Sequence, residues 1–239
     1  MLQSFFIEHN IQMGRDALFN LLSKEKMLIR TRIRKVNTTY SGHWMRKWPN
    51  LIKGFKTIAP NQLWVSDITY WKVANAFLYI SFITDAHSRK IVGYSLSTNL
   101  DMKSTRNALQ MAISSLPKNH NGLIHHSDRG VQYCSMDYVK LLHNNNIQIS
   151  MTENGDPREN AIAERLNGII KEEYLKRYKP QSFQQALFLL DKAVNLYNCE
   201  RPHLSINLQT PDFTHANETK TYRKWKNYFR TNPEKIIQD

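Results

Sequence analysis

An aspartate stands in the middle of the most strand-like run of the chain, Leu63-Trp64-Val65-Ser66-Asp67-Ile68-Thr69-Tyr70-Trp71-Lys72-Val73. β-Branched and aromatic residues dominate this run, and such side chains fit a pleated, half-buried surface. On a period of two, Val65, Asp67 and Thr69 share one face, while Trp64, Ser66, Ile68 and Tyr70 share the other. A lone carboxylate in such a strand is costly to bury. Asp67 must therefore be paired, exposed at an edge or bound to a metal.

Two further acids stand in equally informative places. Asp128 follows the short run Gly122-Leu123-Ile124-His125-His126-Ser127 and precedes Arg129-Gly130, at the exit of a second strand. Strand exits are where α/β sheets collect ligands. The third, Glu164, lies in a stretch over 152–174, where Asn154-Gly155-Asp156-Pro157 makes a turn ahead of an amphipathic helix. Ile162, Leu166, Ile169 and Ile170 form its apolar face, and Asn160, Glu164, Asn167 and Lys171 recur at the same spacing on another. Taken alone, such a helix reads as solvated; the upstream aspartates argue otherwise. Sixty residues separate Asp67 from Asp128, and thirty-five separate Asp128 from Glu164.

This spacing resembles the Asp, Asp, thirty-five residues, Glu signature of integrases and insertion-sequence transposases with a ribonuclease-H-like core. The surrounding residues narrow the resemblance: Asn61-Gln62-Leu63-Trp64-Val65-Ser66-Asp67-Ile68-Thr69-Tyr70, His126-Ser127-Asp128-Arg129-Gly130-Val131-Gln132-Tyr133, Glu159-Asn160-Ala161-Ile162-Ala163-Glu164 and Tyr197-Asn198-Cys199-Glu200-Arg201-Pro202-His203. Together they are similar to the second-frame product of bacterial insertion sequences whose transposase is made by frameshifting, over residues 10–212. The chain departs from that pattern at Glu159, where Asp is usual, and at Arg165-Leu166-Asn167.

Composition agrees with a polyanionic partner. Of 239 residues, 33 are Lys or Arg and 20 are Asp or Glu, a formal charge of +13. Cys134 and Cys199 lie far apart without metal-ligand spacing, so a reduced setting is expected. No run has the length of a membrane span, and the first residues carry an early acid unlike a signal peptide. The expected location is the bacterial cytoplasm, with the nucleoid.

Three parts are expected. Residues 1–58 form a small basic helical region, with a helix over 15–24, the alternating run bearing Arg30, Arg32 and Arg34, and the aromatic-basic run Trp44-Met45-Arg46-Lys47-Trp48. The resemblance makes this region similar to a helix-turn-helix-like DNA-binding segment whose first turns are short, hence an incomplete one. Residues 59–214 form the catalytic core. Strands over 63–73, 77–86, 90–98, 123–127 and 147–151 interleave with helices over 102–116, 135–143, 161–174 and 183–198. Asp101 and Ser182 serve as N-caps. Three consecutive strands followed by alternating helices and strands fit an α/β fold with a ribonuclease-H-like mixed five-stranded sheet flanked by helices. Residues 215–239 form a basic aromatic tail.

The chemistry implied by the resemblance is in-line displacement at a DNA phosphodiester. Two hard divalent cations, Mg2+ or Mn2+, about 3.5–4 Å apart would offset charge on the entering and leaving oxygens. Magnesium takes oxygen ligands. Asp67, Asp128 and Glu164 are thus the expected catalytic and metal-binding residues, with Asp67 bridging. Lys171, Arg30, Arg32, Arg34, Lys47 and Arg129 are the expected DNA contacts. The partners implied are double-stranded DNA (element ends and target), further copies of the chain on that DNA, and the upstream-frame DNA-binding protein. The function implied is metal-dependent cleavage and strand transfer of element ends. Its alternatives are a DNA-binding relic without catalysis and a nuclease of the same fold that cuts without joining. Zinc at His125 and His126 is disfavoured, because adjacent strand residues point to opposite faces.

Overall fold

A computed structural model describes residues 6, 9–28, 42–73, 76–118, 120–153 and 157–217 of the chain. Arg30, Arg32 and Arg34 and the tail beyond residue 217 lie outside the described residues.

Five strands make one sheet in the order β3-β2-β1-β4-β5, where β1 is Leu63–Val73, β2 Ala76–Asp85, β3 Ile91–Ser97, β4 Ile124–Ser127 and β5 Gln148–Met151. The first three form an antiparallel meander, with β1 and β2 in register from Trp64↔Asp85 to Val73↔Ala76. β4 then joins β1 in parallel and β5 joins β4 in parallel. These parallel steps need crossovers, which helices supply. The crossover from β3 to β4 carries α2 (Met102–Ser114), and the one from β4 to β5 carries α3 (Val131–Cys134) and α4 (Met136–Asn144). After β5 come α5 (Ala161–Ile169), a π-helical turn (Ile170–Leu175), α6 (Phe183–Cys199) and α7 (Pro211–Asn217); α1 (Arg15–Lys24) precedes the sheet.

Alternation along β1 divides the core. Trp64 and Ile68 pack on one face with Leu109 and Ala112 of α2 and Tyr138 and Leu142 of α4. Trp71 and Val73 pack on the other with Leu166 of α5, Ile170 and Leu190 of α6. The sheet is thus a middle layer with helices on both sides, as the period-two reading of β1 requires. The expected caps are in place: Asp101 Oδ1 accepts from Ser104 N at 2.9 Å, and Ser182 Oγ accepts from Gln185 N at 3.2 Å. Among the described residues, no helix is long and apolar enough to cross a membrane.

Three differences from the sequence reading have physical causes. The helix expected over 135–143 is present as Met136–Asn144, but a further short helix, Val131–Cys134, precedes it, separated from it by Ser135 in an extended conformation (φ −65°, ψ 144°). The helix expected over 161–174 widens into a π turn at Ile170, which periodicity does not distinguish from an α-helix. The basic run near Trp48 does not stand apart from the core. Trp48 meets His143, the Pro49 carbonyl accepts from Met151 N at 3.3 Å, and Ser150 Oγ accepts from Leu51 N at 2.9 Å. Lys53 pairs with Glu153. β5 is the outermost strand, and this segment shields a flank that would otherwise offer unpaired backbone groups.

Gly93 fixes how closely α2 approaches β3. A Cβ there would stand 2.1 Å from the Ala108 carbonyl oxygen and 3.0 Å from the Ala112 Cβ. Neither neighbour is a flexible side-chain end, so α2 would have to move off the sheet. Gly93→Ala is expected to destabilise the fold by about 3 kcal/mol, the upper end for overpacking, read by urea denaturation. A loss below about 0.5 kcal/mol would show that α2 can shift freely.

Candidate nucleic-acid active site

The site is set by where strand pairing stops. β1 and β4 pair at Leu63↔Ile124, Trp64↔His125 and Val65↔His126. Two residues beyond the last pair stand Asp67 on one chain segment and Asp128 on the other. Parallel neighbours in register share a face, so the register aims both acids from one end of the sheet, on strands about 4.8 Å apart. Both are partly buried. Both act on one buried phenol. Tyr133 is pushed well above the usual phenol range chiefly by burial, then by the charge of Asp128, with Tyr138 and Asp67 adding to it.

Each aspartate is oriented by its own backbone surroundings. Asp67 Oδ1 accepts from Ile68 N at 2.9 Å, and Asp128 Oδ1 accepts from Gly130 N at 3.0 Å. Gly130 matters here because a Cβ would lie 3.1 Å from that same Oδ1.

The third acid arrives on α5. Asn160 Nδ2, just ahead of this helix, donates to the Ser66 carbonyl at 2.9 Å, and Asn167 Nδ2 donates to Asp67 Oδ2 at 2.7 Å. Both amides are buried, 7% and 6% exposed, as the upstream aspartates argued against the solvated reading of this polar stripe. The stripe faces β1. Glu164, partly buried, shares it and lies one turn before Asn167. Sequence reasoning named Glu164 and missed what Asn160 and Asn167 do. The signal was available, since an amide inside a helix, as at Asn167, is unfavourable, and Asn160 and Asn167 flank an acid at spacings of four and three.

Lys47, Arg129 and Asp128 all act on the Cys134 thiol. The Cys134 thiol is pushed up to about 11, mainly by burial and then by Asp128, while Lys47 and Arg129 pull it back. His43 Nε2 bonds the Arg129 carbonyl at 2.7 Å. Lys171 lies farther along, its Nζ 4.1 Å from the centre of the Tyr70 ring.

The donor set is all oxygen, as hard divalent cations require. Besides the three carboxylates, the buried Oδ1 atoms of Asn160 and Asn167 have no hydrogen-bond partner. The residues present therefore suit such an ion in chemistry. Among the described residues, no three His, Cys, Asp or Glu side chains are gathered closely enough to form a ready-made metal group. The amide of Asn167 instead occupies one oxygen of Asp67. The two histidines of β4 diverge as expected: His125 Nε2 pairs with the Tyr138 hydroxyl at 2.9 Å, and His126 Nδ1 with Ser150 Oγ at 2.8 Å.

The C-terminal motif is a brace. Arg201 grips Glu173 of the π turn with two bonds, Nε to Oε2 at 2.7 Å and Nη2 to Oε1 at 2.8 Å. The Tyr197 hydroxyl donates to the Arg89 carbonyl at 3.0 Å, and the His203 ring stands edge-on to Tyr197. Cys199 contacts Asp212.

Comparison with known proteins gives matches over this same region. Two models described as integrase core domain match residues 58–157 and 145–211. The insertion element IS600 uncharacterized 31 kDa protein of Shigella sonnei is 33% identical over 212 residues, covering 88% of this chain and 78% of that protein. The putative transposase for insertion sequence element IS986/IS6110 of Mycobacterium tuberculosis (strain CDC 1551 / Oshkosh) is 30% identical over 197 residues, covering 80% and 71%. Among solved structures, the HTLV-2 integrase catalytic core domain in complex with magnesium superposes with a TM-score of 0.53 at 21% identity, covering 67% of this chain and 99% of that one. That likeness establishes the ribonuclease-H-like, integrase-type fold.

The two β4 histidines make the site acid-labile. Burial lowers both: His125 falls to about 3, with His126 lowering it further, and His126 to about 4, with Glu159 opposing. Unfolded imidazoles take up protons near pH 6.5, so between that pH and about 4 the unfolded chain binds more protons than the folded one. Stability is complete above pH 6.5 and drains as pH falls. From pH 6.5 to 5 the two should together cost about 3 kcal/mol, read by denaturant unfolding at each pH. A flat profile there would mean that both imidazoles titrate in the folded state as they do in the unfolded chain.

Proposed function

Because the chain belongs to the insertion-sequence transposases built on an integrase core, we propose that Asp67, Asp128 and Glu164 carry out cleavage and joining of DNA at the ends of such an element. The chain is a polynucleotidyl transferase of the transposase and integrase class. The observation that carries the residue assignment is the Asn167–Asp67 bond, which ties the helix bearing Glu164 to the strand bearing Asp67. The β1–β4 register brings Asp128 to the same end.

Asp67, Asp128 and Glu164 would hold two divalent cations, magnesium or manganese. When bound, such ions offset charge on the entering and leaving oxygens. The protein's own part is positioning. Asp67 and Asp128 are held by backbone amides, and Asn167 sets the distance of α5 from β1. In the first reaction, water attacks the phosphodiester at the element's end, and the P–O bond to the departing 3′ oxygen breaks to leave a free 3′-hydroxyl. In the second, that hydroxyl attacks a target phosphodiester, one P–O bond forming as another breaks. No protein side chain is covalently joined to DNA.

Lys47 and Arg129 meet DNA phosphates near Asp128, and Lys171 meets one beyond Glu164. Arg30, Arg32 and Arg34 extend the contact from the N-terminal region of residues 1–58, with 59–214 as the catalytic part and 215–239 as a basic tail. Assembly on DNA as several copies, association with an upstream-frame DNA-binding protein and residence on the bacterial nucleoid belong to the same reading.

Asp67→Asn, Asp128→Asn and Glu164→Gln are each expected to lower cleavage and joining of end DNA by several orders of magnitude, while DNA binding persists. Near-normal joining by any one of them would remove that residue from the assignment. Magnesium or manganese is expected to raise the melting temperature of the parent and to raise that of Asp67→Asn less, because ions bound only by the native state stabilise it. Equal shifts in both proteins would place the ions elsewhere.

A further inference from the structure

A groove of about 500 Å³ opens beyond the acids, between the far half of β1 and the π turn. One wall is Tyr70, Trp71 and Lys72 of β1; the other runs from Lys171 through Lys176 to Tyr178 and Lys179. Four lysines line it against one acid, Glu172, which pairs with Lys176. Lys72 and Lys179 are exposed, and Tyr178 is 47% exposed. Ordinary burial habits do not call for two tyrosines and four lysines in one cleft.

The far wall is built, not loose. Lys176 N donates to the Lys171 carbonyl at 2.9 Å and Tyr178 N to the Leu175 carbonyl at 3.0 Å. Gln181 Nε2 donates to the Lys179 carbonyl at 3.0 Å, and Gln181 N donates to Gln185 Oε1 at 2.8 Å. On the near wall, Phe77 stands edge-on to Tyr70 at 5.5 Å between ring centres.

We propose that this groove binds an unpaired stretch of DNA strand next to the reacting phosphate, with Tyr178 as the stacking surface and Lys72 and Lys179 as phosphate contacts. The proposal rests on the DNA-joining reading above and adds a site to it. Rings and cations in alternation are what a single strand uses, since bases stack on aromatic faces while lysines track the phosphates. A paired duplex presents phosphates but keeps its base faces stacked, so it gains nothing from Tyr178. An acidic peptide would use the lysines but not the exposed ring. Tyr70 lies three residues along β1 from Asp67, about 10 Å at roughly 3.3 Å per residue. At about 3.4 Å per nucleotide, that is about three nucleotides from the acids. Lys171, held over the Tyr70 ring, stands at the boundary between the two sites.

The test is fluorescence anisotropy of the full chain, without divalent metal, on a labelled blunt duplex and on the same duplex with about three unpaired nucleotides at one 3′ or 5′ end. The parent is expected to bind one tailed form at least about 5-fold more tightly than the blunt form, the lower bound of one stacked base. Tyr178→Ala should lose that preference and Tyr178→Phe should keep it, with blunt-end affinity unchanged in both. Lys72→Ala with Lys179→Ala should flatten the salt dependence on tailed DNA by about two units, one per phosphate contact. Equal affinity for blunt and tailed DNA in the parent, or a preference that survives Tyr178→Ala, would overturn the proposal and leave the DNA-joining reading standing. Failure to bind either DNA would overturn both.

Discussion

The short parallel pairing of β1 with β4 is the constraint on which the rest depends. It lasts three residue pairs and ends at Val65↔His126. Beyond it, β1 continues through Asp67 to Val73 with β2 as its partner on one flank. The other flank of β1 is thereby left for helices and loops to approach. α5 takes that place, using amides instead of a strand's backbone: Asn160 bonds the Ser66 carbonyl and Asn167 the Asp67 carboxylate. Had β4 run three residues longer, Asp128 would lie within the ladder and not at its exit.

The polar interior around this junction has a cost that the apolar layers offset. His125, His126, Ser66 and Ser150 are all at most 1% exposed, and Trp64, Phe82 and Leu109 pack nearby with equal burial. Each buried polar group needs its partner, because an unmade hydrogen bond costs about 1–3 kcal/mol. Tyr133, Tyr138, His125 and Ser66 meet that need among themselves. On the far side, the Arg201 fork on Glu173 holds the π turn against α6, and so fixes the helix that carries Glu164 from its C-terminal end. This gives the Arg201-Pro202-His203 motif a mechanical role at a distance from the acids.

Much of this was legible in the sequence. The five strands follow from period-two alternation and β-branched content, and the helix caps at Asp101 and Ser182 from local residue types. Residues whose roles depend on a distant partner were not legible. Asn160 and Asn167 look like solvated amides until β1 is placed beneath them. Residues 48–53 look like a basic linker until β5 is seen to need cover. The π turn at Ile170 is invisible because α and π spacing differ by less than the noise in an apolar pattern. The need for glycine at position 93 shows only in the fold, where the Ala108 carbonyl stands against it.

Asp67 and Asp128, aligned by the β1–β4 register, are proposed to form a cation site that Glu164 completes. Anomalous scattering from a manganese-soaked crystal would locate the ions. A manganese peak within coordination distance of both aspartates is expected, with Asn167 no longer donating to the Asp67 oxygen that it now occupies. Manganese bound only elsewhere, with the Asn167–Asp67 bond intact at saturating metal, would contradict it.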